Sequence, residues 1–299
     1  MNGHRSGFAA VVGRPNVGKS TLVNRLVGEK VAIVSDKPQT TRHRIRGILT
    51  RPHAQVIFVD TPGLHRPRHR LGEVMVELAR GSMREADVIL FVVDATRPPG
   101  RGDQYIAGEL SRCAVPVILV LNKVDLVSRQ RLDEAVDSYR GLVTDAPLVP
   151  VSALLGHNLE ELEREVIARL PEGPRFFPPE MVSDQPLAVM VAELIREKVL
   201  LLTREEVPHS VAVTVEEMAR RREDLTYIRA EIHLERPSQK AILIGQGGSM
   251  LKSIGTLSRE EIERLLGHRV YLDLWVRVSR GWRNREAALK TLNLWPVEG

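Results

Sequence analysis

"GRPNVGKST", residues 13–21, decides how the first half of this 299-residue chain is read. It fits the pattern G-x-x-x-x-G-K-[ST] through Gly13, Gly18, Lys19 and Ser20. The apolar run "FAAVV" (8–12) precedes it and a helical stretch follows, which is the context the pattern needs. Glycines let successive backbone N–H groups turn toward one point, and the helix N-terminus adds a positive dipole, so the loop suits a phosphate chain. Arg14, Pro15, Asn16 and Val17 complete the loop and Thr21 continues it into the helix. Lys19 is expected to reach the terminal phosphates, and Ser20 to ligate Mg2+.

Working outward, further apolar runs alternate with helical stretches up to about residue 170. They are "QVIFVD" (55–60), "DVILFVVD" (87–94), "VPVILVLN" (115–122) and "PLVPVS" (147–152). Short, continuous, β-branched runs fit buried parallel strands. Helical patterns at 71–83 and 158–170 separate them, and "RIRGILT" (44–50) alternates as an edge strand does. The expected fold class is an α/β P-loop domain with a mostly parallel sheet and helices on both faces.

The loop alone does not distinguish adenine from guanine nucleotides. "NKVD" (122–125) does, because it ends an apolar strand at the edge of the sheet where ligands sit. Asp125 suits the N1–H and exocyclic amine of guanine, two donors that adenine lacks, and an unpaired carboxylate disfavours ATP. Asn122 is expected to brace the loop and touch the base. The stem of Lys123 would cover the ring, and Val124 lies between these contacts. At the next strand end, Ser152 and Ala153 stand in "VSA", where the Ala153 N–H suits guanine O6. "DTPGL" (60–64) places Asp60 toward Mg2+ through water and the Gly63 N–H toward the γ-phosphate, with Thr61, Pro62 and Leu64 around them. "PQTTRHR" (38–44) supplies the remaining Mg2+ ligand, Thr41 in preference to Thr40. Both segments are expected to order with the γ-phosphate and relax after hydrolysis. The pattern thus points to GTP/GDP with Mg2+, and to Lys19, Thr41 and Asn16 as the catalytic candidates.

Leu64 occupies the place where a Ras-like arrangement has a water-orienting Gln, so slow intrinsic hydrolysis is expected. Two readings of Asn16 stand side by side. It helps hold a monovalent cation such as K+ beside the β- and γ-phosphates, or it only shapes the loop.

"PEGPRFFPPE" (171–180) carries four prolines and reads as the core of a linker, 171–182, between a domain at 1–170 and another at 183–299. Beyond it the order changes to α-β-β-α-α-β with a tail helix. Within it, "AILIGQGGSMLKSIG" (241–255) holds a second glycine loop, Gly245-Gln246-Gly247-Gly248. It lacks the Lys-Ser/Thr of a nucleotide loop and sits between helices. A G-x-x-G turn between two short helices is how KH domains clamp a single-stranded backbone. Ile242, Leu243, Ile244, Leu251 and Ile254 are expected to form a floor for bases. This half therefore reads as an α+β type II KH domain. The alternative for it is a module that binds protein rather than RNA, in a signalling or membrane-associated GTPase.

Composition bounds these readings. The net charge of +5 divides as +4 over residues 1–180 and +1 over 181–299, so any nucleic-acid surface is a local patch. The single cysteine, Cys113, excludes an internal disulfide or a multi-cysteine zinc site and is expected only to pack. No apolar run reaches the ~18 residues of a membrane span, and the N-terminus lacks the layout of a signal peptide.

Together, "GRPNVGKST", "PQTTRHR", "DTPGL", "NKVD", "VSA", the proline-rich linker and a C-terminal "ILIGQGG" and "GW" resemble the Era family of bacterial GTPases over roughly residues 6–290. The resemblance implies binding to 16S rRNA near its 3′ end, a role in 30S subunit assembly, and a cytoplasmic monomer that associates peripherally with the inner membrane. It implies RNA contacts at Ile244, Gly245, Gln246, Gly247 and Gly248. The chain departs from the family at Gln246 and Gly247, where a basic residue is common. Lys252, one helical turn on, is then the first candidate for backbone charge, with Arg280 and Arg283 beside Trp282 behind it. "HRPRHR" (65–70) is a basic cluster open to RNA or to motion.

Overall fold

The protein is described by a computed structural model covering residues 3–64, 67 and 69–295. These form two compact units. One holds the chain through Val34, Thr41–Pro67 and Met75–Asp184. The other holds Ser35–Thr40, the start of one helix through Val74, and Gln185 onward.

In the first unit the described strands are β1 (Arg5–Val12), β2 (Ile45–Arg51), β3 (Ala54–Asp60), β4 (Val88–Asp94), β5 (Val117–Asn122) and β6 (Leu148–Pro150). They form one sheet in the order β2-β3-β1-β4-β5-β6. All neighbours pair in parallel except β2 with β3, so β2 is the antiparallel edge that its alternation suggested. Alternating side chains divide the burial between two cores. Ala9 and Val11 join Leu90, Val92, Ile118 and Val120 beneath α1 (Lys19–Val27) and α5 (Leu159–Arg169). Ala10 and Val12 join Ile89, Phe91, Leu119 and Leu121 beneath α2 (Arg70–Glu85), α3 (Arg101–Leu110) and α4 (Arg129–Arg140). Helices therefore cover both faces, which is why the central strands read as unbroken apolar runs.

The stretch 171–182 forms no helix and packs along this unit. Arg5 and Glu172 form an isolated antiparallel backbone bridge. The Phe176 and Phe177 N–H groups donate to Gln55 Oε1 at 2.8 and 3.0 Å, and the Ile48 N–H donates to Val182 O at 2.9 Å.

The second unit contains α6 (Leu187–Leu202), the short α7 (Val207–Ser210), β7 (Ala212–Arg222), β8 (Leu225–Leu234), α8 (Pro237–Ile244), α9 (Ser249–Leu266), β9 (Arg269–Val278) and α10 (Glu286–Thr291). Its sheet runs β7-β8-β9, with β7/β8 antiparallel and β8/β9 parallel. The strand suggested by "HSVAVTVEEM" continues to Arg222, because β8 supplies ladder partners along the whole hairpin whatever the charge of the side chains. Among the described residues no helix is long and apolar enough to cross a membrane.

Candidate nucleotide and nucleic-acid sites

The first site lies where β1, β3, β5 and β6 end. The loop after β1 is forced into glycine by close approach: a Cβ on Gly13 would sit 2.4 Å from Val92 O. Gly18 has φ +99°, and a Cβ there would lie 2.3 Å from Asn122 Nδ2. That proximity is functional, because Asn122 joins two loops. Its Nδ2 donates to Val17 O at 2.8 Å and its Oδ1 accepts from the Ala153 N–H at 2.9 Å. The Ala153 N–H, expected to suit guanine O6, here donates to the Asn122 amide that lies between the two loops. Ser152 is fully buried, its Oγ accepting from the Leu155 N–H at 3.1 Å. Val124–Leu126 form a single 3-10 turn after β5, and Asp125 within it is half-buried.

Lys19 is buried, and its ammonium donates to Gly13 O at 3.1 Å and Arg14 O at 2.9 Å. Burial lowers its pKa to about 8, against the opposing pull of Asp60. Around Asp60 two hydroxyl side chains converge. Ser20 Oγ donates to Asp60 Oδ2 at 2.7 Å, Thr41 Oγ1 reaches the same oxygen at 3.1 Å, and the two hydroxyls lie 3.0 Å apart. Thr40 turns its hydroxyl to Lys37 O at 2.7 Å. The structure thus separates the two threonines and brings Thr41 to the cluster. Burial pushes the Asp60 carboxyl up, opposed by Lys19 and the two hydroxyls. Asp60 Oδ1 is buried without a hydrogen-bond partner. Two hydroxyls and a carboxylate with an unsatisfied buried oxygen are the hard donor set that suits Mg2+.

The "DTPGL" segment packs against the loop: a Cβ on Gly63 would come within 2.8 Å of Pro15 N. Thr61 Oγ1 donates to Val11 O at 2.8 Å, and Pro62 is buried. Leu64 is 2% exposed, and its side chain belongs to the core beneath α2. Thr21 is half-buried on α1.

Two acidic residues at this site escaped sequence reasoning. Asp94, the last residue of β4, accepts from Lys123 Nζ at 2.6 Å, and the same ammonium donates to Asn16 O at 2.8 Å. Burial alone would raise the Asp94 pKa, but hydrogen bonds from Lys123 and Thr96 hold it below its ordinary value. Asp103, fully buried on α3, accepts from Arg14 Nε at 2.7 Å. Lys123 therefore ties the phosphate loop to the ends of β4 and β5. Asn16 has φ +66°, a backbone conformation that asparagine tolerates better than most residues. The signal for Asp94 was present, an acidic end to an apolar strand, but its partner lies 29 residues away.

The second glycine loop links α8 to α9. Gly245, Gly247 and Gly248 have φ of +72°, +58° and +80°. A Cβ on Gly245 would stand 2.8 Å from Met250 Cβ, whereas Gly247 and Gly248 face open space. Gln246 is exposed. A groove of about 410 Å³ begins here, lined by Gly248, Leu251, Lys252, Gly255, Thr256, Arg259, Leu272 and Leu274. Lys252, the first candidate for backbone charge, lies in it. Arg259, seven residues on along α9, was missed because no local motif marks it.

The expected apolar floor needs correction. Leu243 and Ile254 are fully buried in the core, Ile242 is exposed, and Ile244 does not line the groove. Leu251 does, with Leu272 and Leu274 of β9. Trp282 is buried, its indole N–H donating to Ser210 O at 3.0 Å, and Arg283 is paired with Glu235 at 2.5 Å. Arg283 is therefore a structural cation, while Arg280 is exposed. Of the cluster at 65–70, His65, Arg66 and Arg68 lie outside the described residues; Arg70 opens α2 and pairs with Glu73 at 2.7 Å.

Comparison with known proteins matches both halves. Residues 8–123 match the family described as 50S ribosome-binding GTPase, and residues 206–283 match the KH domain. A point variant of Era from Aquifex aeolicus, solved with GDP and AlF4−, is 41% identical, with a TM-score of 0.94 over 98% of this chain and 100% of that one. Era solved with MgGDPNP and nucleotides 1506–1542 of 16S ribosomal RNA is 42% identical, with the same TM-score and coverage. With a guanine-nucleotide loop set and a G-x-x-G turn in one chain, and this identity along nearly its whole length, the chain belongs to the Era family of GTPases.

Proposed function

We propose that this Era-family GTPase is a GTP-driven switch that binds 16S rRNA near its 3′ end and assists assembly of the 30S subunit. Residues 1–170 form its GTP-binding part, 171–182 the linker and 183–299 the RNA-binding part. The observation that carries the reading is that one chain has both the Ser20–Thr41–Asp60 oxygen cluster and a groove with Lys252 and Arg259 leading from a G-x-x-G turn.

In the nucleotide site, Gly13–Thr21 bind the phosphates through backbone N–H groups, and Lys19 moves its ammonium from the loop carbonyls to the β- and γ-phosphates. Asn122, Lys123 and Asp125 orient guanine, with Ser152 and Ala153 at its edge. Ser20, Thr41 and Asp60 would hold Mg2+, which when bound neutralises charge developing on the phosphates. Leu64 is packed into the core and offers nothing to an attacking water, so intrinsic turnover is slow. Asn16 either helps hold K+ beside the phosphates or only shapes the loop, and GTP turnover in K+ against Na+ decides between the two. In the RNA site, Gly245–Gly248 admit the strand backbone closely, and Lys252 supplies phosphate charge that Gln246 and Gly247 cannot. The protein acts as a cytoplasmic monomer, with peripheral contact at the inner membrane.

The deciding experiment measures binding of a 16S 3′-end oligonucleotide with GDP and with a non-hydrolysable GTP analogue, beside co-sedimentation with 30S and 50S subunits. A Gly245→Asp, Gly248→Asp pair should abolish RNA binding and leave GTP binding intact. RNA binding that survives the pair refutes the site. No RNA binding by the wild type returns the C-terminal unit to protein recognition.

A further inference from the structure

The face of the β7-β8-β9 sheet that carries Tyr227, Tyr271 and Trp275 is not used by anything above. Tyr271 and Trp275 are 62% and 59% exposed, on a chain with only 12 aromatic residues. They lie four residues apart on β9 and so on one face, about 13 Å apart. Tyr227, their neighbour on β8, stacks on Tyr271 with ring centroids 5.8 Å apart and planes at 18°. The rings are held in place. Asp273, between them on β9, accepts from the Trp275 indole N–H at 3.0 Å and from the Tyr227 hydroxyl at 3.1 Å.

We propose that this face is a second nucleic-acid surface, on which bases of single-stranded RNA flanking the segment in the groove stack on Tyr271 and Trp275. The proposal rests on the RNA-binding reading. Continuity favours RNA as the occupant. Leu272 and Leu274 line the groove, and Tyr271 and Trp275 alternate with them on the same strand. β9 is an edge of its sheet, so a strand leaving the groove passes over that edge directly onto the rings.

Charge agrees. Arg269 and Arg277 stand at either end of the β9 row, two residues from each ring. Three carboxylates of the face are paired where they stand, Asp273 with Arg229 at 3.5 Å, Glu231 with Arg277 at 2.8 Å and Glu217 with Arg221 at 2.6 Å. Glu216 accepts from the Thr214 hydroxyl at 2.6 Å beside Glu231 and His233, at the β7 side away from the rings. Pinned aromatic planes among guanidinium groups recognise bases by stacking, which tolerates any sequence. Because the rings are already fixed, stacking orders little that was free.

The test compares two RNAs on the full-length protein. One has about four nucleotides, enough for the groove alone; the other is lengthened by about four at each end. In Tyr271→Ala with Trp275→Ala, affinity for the longer RNA should fall about tenfold per ring removed, and the short RNA should bind as to wild type. Tyr271→Phe with Trp275→Phe should restore the longer RNA. Equal affinity of wild type and double alanine variant for the longer RNA overturns the proposal and gives the face to a protein partner. Equal losses for both RNAs also overturn it, because the rings would then act on the groove. If the wild type binds neither RNA, the RNA-binding reading itself has failed.

Discussion

Lys19 carries a proton-linkage signature that separates phosphate contact from mere loop structure. Burial holds its pKa at about 8 in the free protein. Phosphate charge favours the ammonium, so nucleotide binding must raise that pKa. At pH 8 half the free molecules hold a neutral Lys19, and binding should take up about 0.5 proton, rising to about 0.9 at pH 9 and falling to about 0.1 at pH 7. Return to the ordinary value of 10.5 corresponds to about 3 kcal/mol of coupling. The sign is opposite for folding. The free folded state has the lower pKa, so between pH 8 and 10.5 the unfolded chain binds more protons and stability rises with pH, while nucleotide affinity falls by up to about tenfold per unit. Calorimetry of Mg2+-free GDP binding at pH 7, 8 and 9, in two buffers of different ionisation enthalpy, reads the uptake directly. The phosphates themselves, with a second pKa near 6, are silent at pH 8 and above, and the uptake that the guanine N1–H adds at pH 9 is subtracted as the uptake left in Lys19→Met. Zero uptake at pH 8 and 9, or the same uptake in Lys19→Met, would refute the reasoning.

Four further outcomes are expected. Gly18→Ala drives a Cβ into Asn122 Nδ2 and forces a left-handed alanine, so GDP affinity should fall at least about tenfold, with about 1–2 kcal/mol of stability lost in denaturant melts; unchanged affinity would show that the Asn122 tie is dispensable. Leu64→Gln buries an amide in the core beneath α2, lowering stability by about 1–3 kcal/mol without speeding hydrolysis; a faster GTPase would mean that residue 64 reaches the attacking water. Lys252→Ala should reduce the salt slope of RNA binding by about one phosphate contact, and an unchanged slope counts against its role. GTP turnover should be faster in K+ than in Na+, with the difference lost in Asn16→Ala; equal rates in the two salts remove Asn16 from cation binding.

The division of the chain into a phosphate-loop unit and a G-x-x-G unit was legible in the sequence because each rests on short-range facts. Continuous apolar runs give doubly covered strands, and glycines at fixed spacing give loops that admit phosphates. "NKVD" and "DTPGL" were legible as well, since each ends an apolar strand. The choice of Thr41 over Thr40 was stated from sequence, but the contact that distinguishes them is an oxygen on β3. The Asn122 bridge, the Asp94–Lys123–Asn16 tie and the Asp103–Arg14 pair were not legible, since each joins elements whose proximity is set by sheet order. In the second unit the apolar residues around the glycine loop look equivalent along the chain. Helix rotation sends Leu243 and Ile254 into the core and leaves Leu251 to line the groove. The row of Tyr271 and Trp275 beside Tyr227 exists only because β8 and β9, 35 residues apart at their ends, pair in parallel with Tyr227 opposite Tyr271. Local chemistry was written in the sequence; which side chains share a face was decided by strand register and helix rotation, because both depend on contacts between distant segments.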